Sequence, residues 1–184
     1  MKHVMLDLET WGTNDNAVIT EIGAVRFDPE DPLRMMDCFH VCITPINQVK
    51  HFKRVIDEDT VMWWMSPERA EPWSQWFNTL KFDLPTALEG FQIWLTQGQE
   101  DSGNQPMWGN GVGFDNVILR NAYNATGQEL PWNWFNDRCF RTLKSMAPRS
   151  LEPTREGTHH NALDDAKHQT RWLYEIIAAK NIIL

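Results

Sequence analysis

Two carboxylates interrupt an apolar run near the N-terminus that otherwise has the character of a core strand. The run is VMLDLETWG, residues 4–12, and the interrupting residues are Asp7 and Glu9. Side chains two positions apart in a strand project from the same face, with Cα atoms roughly 6.5 Å apart. Two such carboxylates repel each other, and burial increases the cost of their charge. The pair therefore indicates either an exposed strand end or a compensating cation, such as a basic side chain, Mg²⁺ or Mn²⁺.

Composition limits the classes of protein to which the chain can belong. Its 184 residues are 42 % hydrophobic, which predicts a single domain over 1–184 with a sizeable core. The formal net charge of −8 argues against broad, non-specific binding to a polyanion. A local site in which metal ions cancel acidic side chains remains compatible with that charge.

The cysteines and the apolar runs predict a cytoplasmic protein. Three cysteines cannot all pair with one another, and no CxxC pair suggests a zinc site, so reduced thiols are the simplest explanation. The N-terminus lacks the pattern of a signal peptide, and no stretch of about 20 apolar residues predicts a membrane span.

Strand patterns come first along the chain, and helical patterns follow. Strand-like segments joined by short hairpin-type links cover 3–8, 17–27 and 35–44, and a further short strand covers 106–110. Helical patterns cover 57–65, 84–97, 114–127, 137–147 and 161–179, with Ser66 and Pro67 marking one further helix start. This order predicts an α/β domain with a central mixed β-sheet flanked by helices.

Two later segments add acidic residues at helix starts. Asp115 follows a short strand in WGNGVGFDN, and HHNALDDA, residues 159–166, opens the last helix. Each has an ordinary structural explanation, since an acid at a helix start interacts favourably with the helix dipole and stabilises the helix by roughly 0.3–1 kcal/mol. His160 alone is most simply a surface histidine. The glycines of GNGVG do not fit a dinucleotide-binding turn, and no GKS or GKT follows them, so a P-loop is excluded.

Taken in order, these pieces resemble the motif set of the DEDDh 3′→5′ exonucleases of the RNase H-like (DnaQ-like) superfamily. LDLET resembles the first motif, ITEIGAV the second strand, GNGVGFDN the second motif and HNALDDA the third. IDEDTVMWWM further resembles the small exoribonuclease branch that includes mycobacterial RNase AS. The resemblance implies an RNase H-like fold and removal of nucleotides from single-stranded 3′ ends.

The resemblance also implies a division of labour around two divalent metal ions, Mg²⁺ or Mn²⁺. Asp7 would bridge both ions, Glu9 and Asp165 would complete the first, and Asp115 would support the second. His160 would be the general base, because an ordinary histidine pKa near 6.5 suits proton removal at neutral pH.

Two neighbours compete for these roles. His159 adjoins His160, and Asp164 would replace Asp165 if the last helix began one residue earlier. The H-x₄-D spacing of the motif favours His160 with Asp165.

Substrate binding is expected to rely on stacking, which is worth about 1–3 kcal/mol per base and tolerates any base. Trp11, directly after the first motif, is the first candidate, and for every indole core packing is the alternative. The other predicted substrate contacts are Thr10, Trp63 or Trp64, Asn110 and Phe114. The locally basic region 138–155 either tracks the nucleic-acid backbone or carries scattered solvated charges.

The branch resemblance favours single-stranded RNA as the substrate, with single-stranded DNA as the alternative. A non-catalytic nucleic-acid-binding module on the same fold is a second, different alternative. A homodimer is also expected, because a chain of net charge −8 must attract a polyanion. In such a dimer the basic segment KHFKR, residues 50–54, or the 138–155 region of a second copy would lie beside the acidic site.

Overall fold

A mixed six-stranded sheet forms the centre of the protein, in a computed structural model that describes residues 2–31, 35–97 and 103–184. The strands are β1 (His3–Thr10), β2 (Ile19–Phe27), β3 (Met35–Ile43), β4 (Lys81–Phe82), β5 (Met107–Gly109) and β6 (Asp137–Cys139). Their spatial order is β4-β3-β2-β1-β5-β6. β2 pairs antiparallel with both of its neighbours, and the remaining pairs, β3 with β4, β1 with β5 and β5 with β6, are parallel.

Helices cover both faces of this sheet, as the sequence pattern predicts. They are α1 (Ile46–Phe52), α2 (Glu58–Trp64), α3 (Ala70–Asn78), α4 (Leu84–Thr96), α5 (Asp115–Thr126), α6 (Phe140–Ser145) and α7 (Ala162–Lys180). Short 3₁₀ turns cover Pro67–Arg69, Trp134–Asn136 and Arg149–Leu151. None of the helices in the described ranges has both the length and the apolar character needed to cross a bilayer.

β1 divides its side chains between two hydrophobic clusters. Val4 and Leu8 pack into the cluster that α4 and α5 complete, whereas Met5 packs into the cluster that α6 and α7 complete. Asp7 and Glu9 follow Met5 at two-residue intervals and therefore face α7. The strand can be buried and still carry two acids, because its apolar and acidic positions alternate at this end.

The start of α7 lies directly on the sheet at Gly23, the β2 residue that pairs with Asp7. A Cβ atom at Gly23 would lie 2.2 Å from the carbonyl carbon of Ala162, so a side chain there would collide with the α7 backbone. Asn161 caps the helix, because its side-chain oxygen accepts the Asp164 N–H at 3.2 Å. The first turn of α7 is thereby held over β1 and β2.

The helix predicted over 137–147 is wrong in its first turn. Residues 137–139 form β6, which pairs parallel with β5, and the helix begins only at Phe140. Backbone pairing with an adjacent strand outweighs the weak local helix preference, a tertiary effect that propensity does not contain. The sequence pattern also missed α1, a seven-residue helix that begins at Ile46.

The basic segment at 50–54 is not wholly a surface patch. Arg54 is only 1 % exposed and donates hydrogen bonds to Ala17 O at 2.8 Å, Asn121 Oδ1 at 3.1 Å and Ile118 O at 3.3 Å. Burial lowers the pKa of Arg54 to about 10. Arg54 therefore joins the β1–β2 connection to α5, and only Lys50, His51 and Lys53 of this segment are open to a partner.

Replacing Gly23 by alanine should destabilise the fold, because the added methyl group meets the backbone of Ala162 rather than a movable side chain. Overpacking of this kind costs about 1–3 kcal/mol. The matched control is Gly90→Ala in α4, where the added Cβ would lie 3.8 Å from Phe39. That change should stabilise the protein by about 0.5–1 kcal/mol, because alanine is the better helix former. Urea unfolding measures both, and equal stability of Gly23→Ala and the parent would contradict the close contact.

Candidate active site

Asp7 and Glu9 are buried at the base of a cleft between β1 and α7. Each residue is only 8 % exposed. Gln169 Nε2 of α7 donates a hydrogen bond to Asp7 Oδ1 at 2.6 Å. Gln169 was not predicted, although its place one helical turn after Asp165 puts it on the same helix face, a signal available in the sequence.

Asp115 approaches the same cleft from the start of α5. It is 3 % exposed, and Asp115 Oδ1 accepts the Leu8 N–H of β1 at 3.3 Å. At Gly109, where β5 ends, a Cβ atom would lie 2.3 Å from Asn116 Oδ1, so the missing side chain lets α5 begin close to the sheet. An acid at this helix start does oppose the dipole, but here it also lines the cleft with Asp7 and Glu9.

The structure distinguishes the two adjacent acids of α7. Asp165 lines the cleft, where His160 N–H donates to Asp165 Oδ2 at 3.2 Å and Arg155 contacts Asp165 Oδ1. Asp164 turns away and accepts the Thr158 N–H at 2.8 Å. The geometry therefore places Asp165, and not Asp164, beside the strand carboxylates.

These carboxylates fit a divalent cation. Oxygen atoms of Asp7, Glu9 and Asp165 lie within 4.8 Å of one another. Burial, followed by the charges of Asp115 and Glu9, raises the pKa of Asp7 well above its usual range. Burial and the charges of Glu21 and Asp115 do the same for Glu9, and burial raises the pKa of Asp115 to about 7. Mg²⁺ and Mn²⁺ prefer oxygen ligands, and a bound ion would supply the positive charge that this group of carboxylates lacks.

His160 stands at the edge of the same cleft, in the loop before α7, and has a left-handed backbone with φ of 64°. Its ring packs edge-on against Trp63, with ring centroids 4.8 Å apart, and stacks on His159 at 3.9 Å. Burial, then His159, Arg69 and Arg155, lowers the pKa of His160 to about 4. The imidazole is therefore neutral at pH 7, although it is a weaker base than the ordinary histidine, with a pKa near 6.5, that the sequence predicts.

Positively charged side chains also line the cleft, which has a volume of about 600 Å³. Arg141, Lys144 and Arg155 line it together with the acids. All three lie in the predicted basic region 138–155, so that region contributes positive charge to the site of its own chain.

A second cavity, of about 540 Å³, adjoins the first and shares Leu8, Glu9 and Phe114 with it. It adds an aromatic wall, Trp63 and Trp64, and polar groups that include Asp57 and the hydroxyl-bearing residues Thr10, Thr13 and Thr60. Trp64 is fixed in place, because its Nε1–H donates to Thr10 O at 2.9 Å.

Most of the predicted substrate contacts line one of the two cavities, and one does not. Thr10, Trp64 and Phe114 line the second cavity, and Asn110 lines the first. The side-chain oxygen of Asn110 is buried without a hydrogen-bond partner among the described residues. Trp11 lines neither cavity and packs instead against Trp73 and Trp76, with ring centroids 5.7 Å apart in both pairs.

Comparison with known proteins relates this geometry to a nuclease family. The family model described as the 3′-5′ exoribonuclease Rv2179c-like domain matches residues 2–177. No curated protein matches the chain by sequence.

Solved structures share the fold at low sequence identity. The nuclease domain of 3′hExo, a DEDDh family member bound to rAMP, is 15 % identical with a TM-score of 0.64, covering 97 % of this chain and 92 % of its own. Cell-death related nuclease 4 is 18 % identical with a TM-score of 0.62, covering 97 % of this chain and 64 % of its own. The zinc-bound E. coli ExoI–ssDNA complex is 13 % identical with a TM-score of 0.66, covering 98 % of this chain and 41 % of its own. The RNase H-like α/β fold expected from the sequence is therefore confirmed.

Replacing Asp7 by asparagine should raise the stability of the metal-free protein, and the gain should grow with pH. A buried carboxyl with a raised pKa keeps its proton when folded at pH values where the unfolded chain has lost it. The folded state then binds the extra proton, so its stability falls as pH rises above the ordinary value of 3.8. Melting temperatures with EDTA from about pH 5 to about pH 8 measure the effect.

The matched control is Asp31→Asn, which removes one carboxylate from an exposed position. Its melting curve should follow that of the parent across the range. Added Mg²⁺ or Mn²⁺ should stabilise the parent more than Asp7→Asn, and more at high pH, since the ions bind the deprotonated acids. A difference between Asp7→Asn and the parent that does not change with pH would contradict the raised pKa.

Proposed function

This chain belongs to the 3′-5′ exoribonuclease Rv2179c-like domain family, and from that premise we propose that it removes nucleotides from single-stranded RNA 3′ ends by metal-dependent hydrolysis. A 3′-5′ exonuclease is the class to which the family assigns it. RNA preference, two metal ions and His160 as general base are the proposed parts. The observation that carries the proposal is the buried group of Asp7, Glu9, Asp115 and Asp165 beside a neutral histidine.

The four carboxylates would hold two divalent ions, Mg²⁺ or Mn²⁺. When bound, such ions supply positive charge at the scissile phosphate and hold the attacking and leaving oxygens. The chain itself keeps the acids in place beforehand, because Gln169 fixes Asp7 and the Leu8 N–H fixes Asp115. The four acids come from β1, α5 and α7 and already lie close together, so no loop has to close to form the site.

His160 would take the proton from the attacking water. A general base must be unprotonated and within hydrogen-bond reach of the water, and the lowered pKa of His160 meets the first condition. Trp63 limits the rotation of the ring, and the His160 N–H bond to Asp165 connects the base to the acid site. His159 is the outer member of the stacked pair and is the weaker candidate.

The strand would enter along the cationic side chains and place its terminal base in the second cavity. Arg141, Lys144 and Arg155 offset the net charge of −8 locally, where phosphates would lie. Trp64 and Phe114 would contact the base, Thr10 would offer it a hydrogen-bonding group, and Asn110 would face the part of the strand that lies in the first cavity. Trp11 would act indirectly, because it packs on Trp73, which in turn packs on Trp64.

RNA is favoured over DNA because the matching family model is described as an exoribonuclease. Single-stranded DNA is the alternative, since the E. coli ExoI structure of similar fold is a complex with ssDNA. A non-catalytic binding module is the second alternative. It is less favoured, because a protein that only binds a polyanion has no use for four buried, mutually repelling acids.

Oligonucleotides labelled at either end test the reaction directly. With Mg²⁺ or Mn²⁺, a 3′-labelled strand should release its label as a mononucleotide at once, while a 5′-labelled strand should shorten progressively. EDTA and Asp7→Asn should both abolish turnover, and RNA should be degraded faster than DNA of the same sequence. Binding without turnover would establish the binding-module alternative, and faster cleavage of DNA would reverse the substrate preference.

The two histidines should differ sharply in their effect on turnover. His160→Ala should lower kcat by about 10²- to 10⁴-fold, the usual contribution of a general base. It should leave the Mg²⁺-induced rise in melting temperature unchanged, because His160 is not proposed as a ligand. His159→Ala is the matched control and should lower kcat much less. The opposite order of effects would move the catalytic role to His159.

We further propose that the protein works as a cytoplasmic homodimer. Its three cysteines are free thiols, which are typical of proteins from a reducing compartment. Phe77, Leu80 and Phe82 are 59 %, 74 % and 41 % exposed around the edge strand β4, a surface that a second copy would cover. Light scattering at micromolar concentration that gives a mass near 21.5 kDa for the active protein would contradict the dimer.

A further inference from the structure

Three potential metal ligands of different chemistry meet on β2 and β3, outside the proposed active site. Glu21 of β2 pairs with Cys42 of β3, and Gly23 pairs with His40, so all four residues belong to the sheet face that carries Asp7. Because Gly23 has no side chain, the His40 ring can lie across the strand pair towards Glu21. His40 Nε2 and Glu21 Oε2 are 3.0 Å apart.

The three donor atoms are close enough to bind one ion. A carboxylate oxygen of Glu21, a ring nitrogen of His40 and the Sγ atom of Cys42 all lie within 4.8 Å of one another. Glu21 and Cys42 are buried, at 3 % and 1 % exposure, whereas His40 is open to solvent. The cluster therefore has a buried base and an accessible side through which an ion and a water ligand can enter.

Glu21 can still bind an ion through one of its two carboxylate oxygens. Oε2 accepts the Ala162 N–H at 3.2 Å and contacts His40, so both interactions use the same oxygen. Oε1 can bind an ion while Oε2 keeps its bond to the start of α7. Burial, then the charge of Glu21, raises the pKa of the Cys42 thiol to about 12, so an entering cation must displace the thiol proton.

We propose that Glu21, His40 and Cys42 form a binding site for a zinc-type transition-metal ion. Thiolate, imidazole and carboxylate are the donors that Zn²⁺ uses, and three protein ligands leave its fourth position open. Hard ions such as Mg²⁺ avoid thiolate, whereas the oxygen donors of Asp7, Glu9 and Asp165 suit them. The two sites should therefore select different ions, and this proposal stands whether or not the nuclease proposal does.

A metal ion bound by Glu21, His40 and Cys42 would influence the proposed active site through Glu21. Glu21 pairs with Glu9 in the β1–β2 register, and its charge contributes to the raised pKa of Glu9. The same side chain holds the Ala162 N–H in the first turn of α7, three residues before Asp165. A cation on Glu21 thus lies one strand away from the carboxylates of the cleft.

Cobalt titration identifies the site through its sulfur ligand. Co²⁺ substitutes for Zn²⁺, and a Co²⁺–thiolate bond produces near-ultraviolet charge-transfer absorption that oxygen and nitrogen ligands do not. The reduced protein, kept in excess Mg²⁺ to occupy oxygen-donor sites, should develop this absorption with one equivalent of Co²⁺. One equivalent of Zn²⁺ should then remove it.

Variants assign the ligands. Cys42→Ser should abolish the charge-transfer absorption, and His40→Gln, at an open position where folding is not at risk, should weaken Co²⁺ binding at least about tenfold. Cys38→Ser and Cys139→Ser are the matched controls and should keep the absorption, with circular dichroism confirming that each variant is folded. Absence of the absorption in the parent protein, or its persistence in Cys42→Ser, would overturn the proposal.

Discussion

The geometry of the candidate active site depends on the close approach of α7 to the sheet at Gly23. The α7 backbone occupies the space that any side chain at this position would fill. This contact puts Asp165 over β1, close to Asp7 and Glu9, although more than 150 residues of sequence separate them. Asn161 as the helix cap and Glu21 as the acceptor of the Ala162 N–H hold the same turn from two further sides.

Gathering these acids has an electrostatic cost that the protein only partly offsets. Burial raises the pKa values of Asp7, Glu9 and Asp115, and the charges of neighbouring carboxylates raise those of Asp7 and Glu9 further, while Gln169, the Leu8 N–H and Arg155 act in the opposite direction. Such a carboxylate cluster favours the binding of divalent cations, because the ions cancel a repulsion between carboxylates that is already present in the folded protein. Strands and helices hold these carboxylates in place, so the arrangement of the ligands need not be created during binding.

Charge and aromatic surface are separated around this acidic centre. Arg141, Lys144 and Arg155 lie along one cavity, and Trp63 and Trp64 form a wall of the adjoining one. A negatively charged chain can thus offer phosphates a local positive path and offer bases an apolar wall. The indoles of Trp11, Trp73 and Trp76 continue this aromatic layer behind the wall, which accounts for several of the ten tryptophans.

Short-range patterns in the sequence determined the first strands, the helices α4 and α7 and the common face of Asp7 and Glu9. These features follow from periodicities of 2 and 3.6 residues, which local sequence contains. Spacing also pointed to Asp165 and His160, but it left Asp164 and His159 as competitors. Only the tertiary structure separated the two acids, by turning Asp164 to the Thr158 N–H, whereas His159 and His160 both line the cleft. It also buried Arg54, paired residues 137–139 with β5 and placed Trp11 behind the cavities rather than in them. Those outcomes depend on which segments pack together across the sheet, and a contact between distant segments leaves no period in the sequence from which it can be deduced.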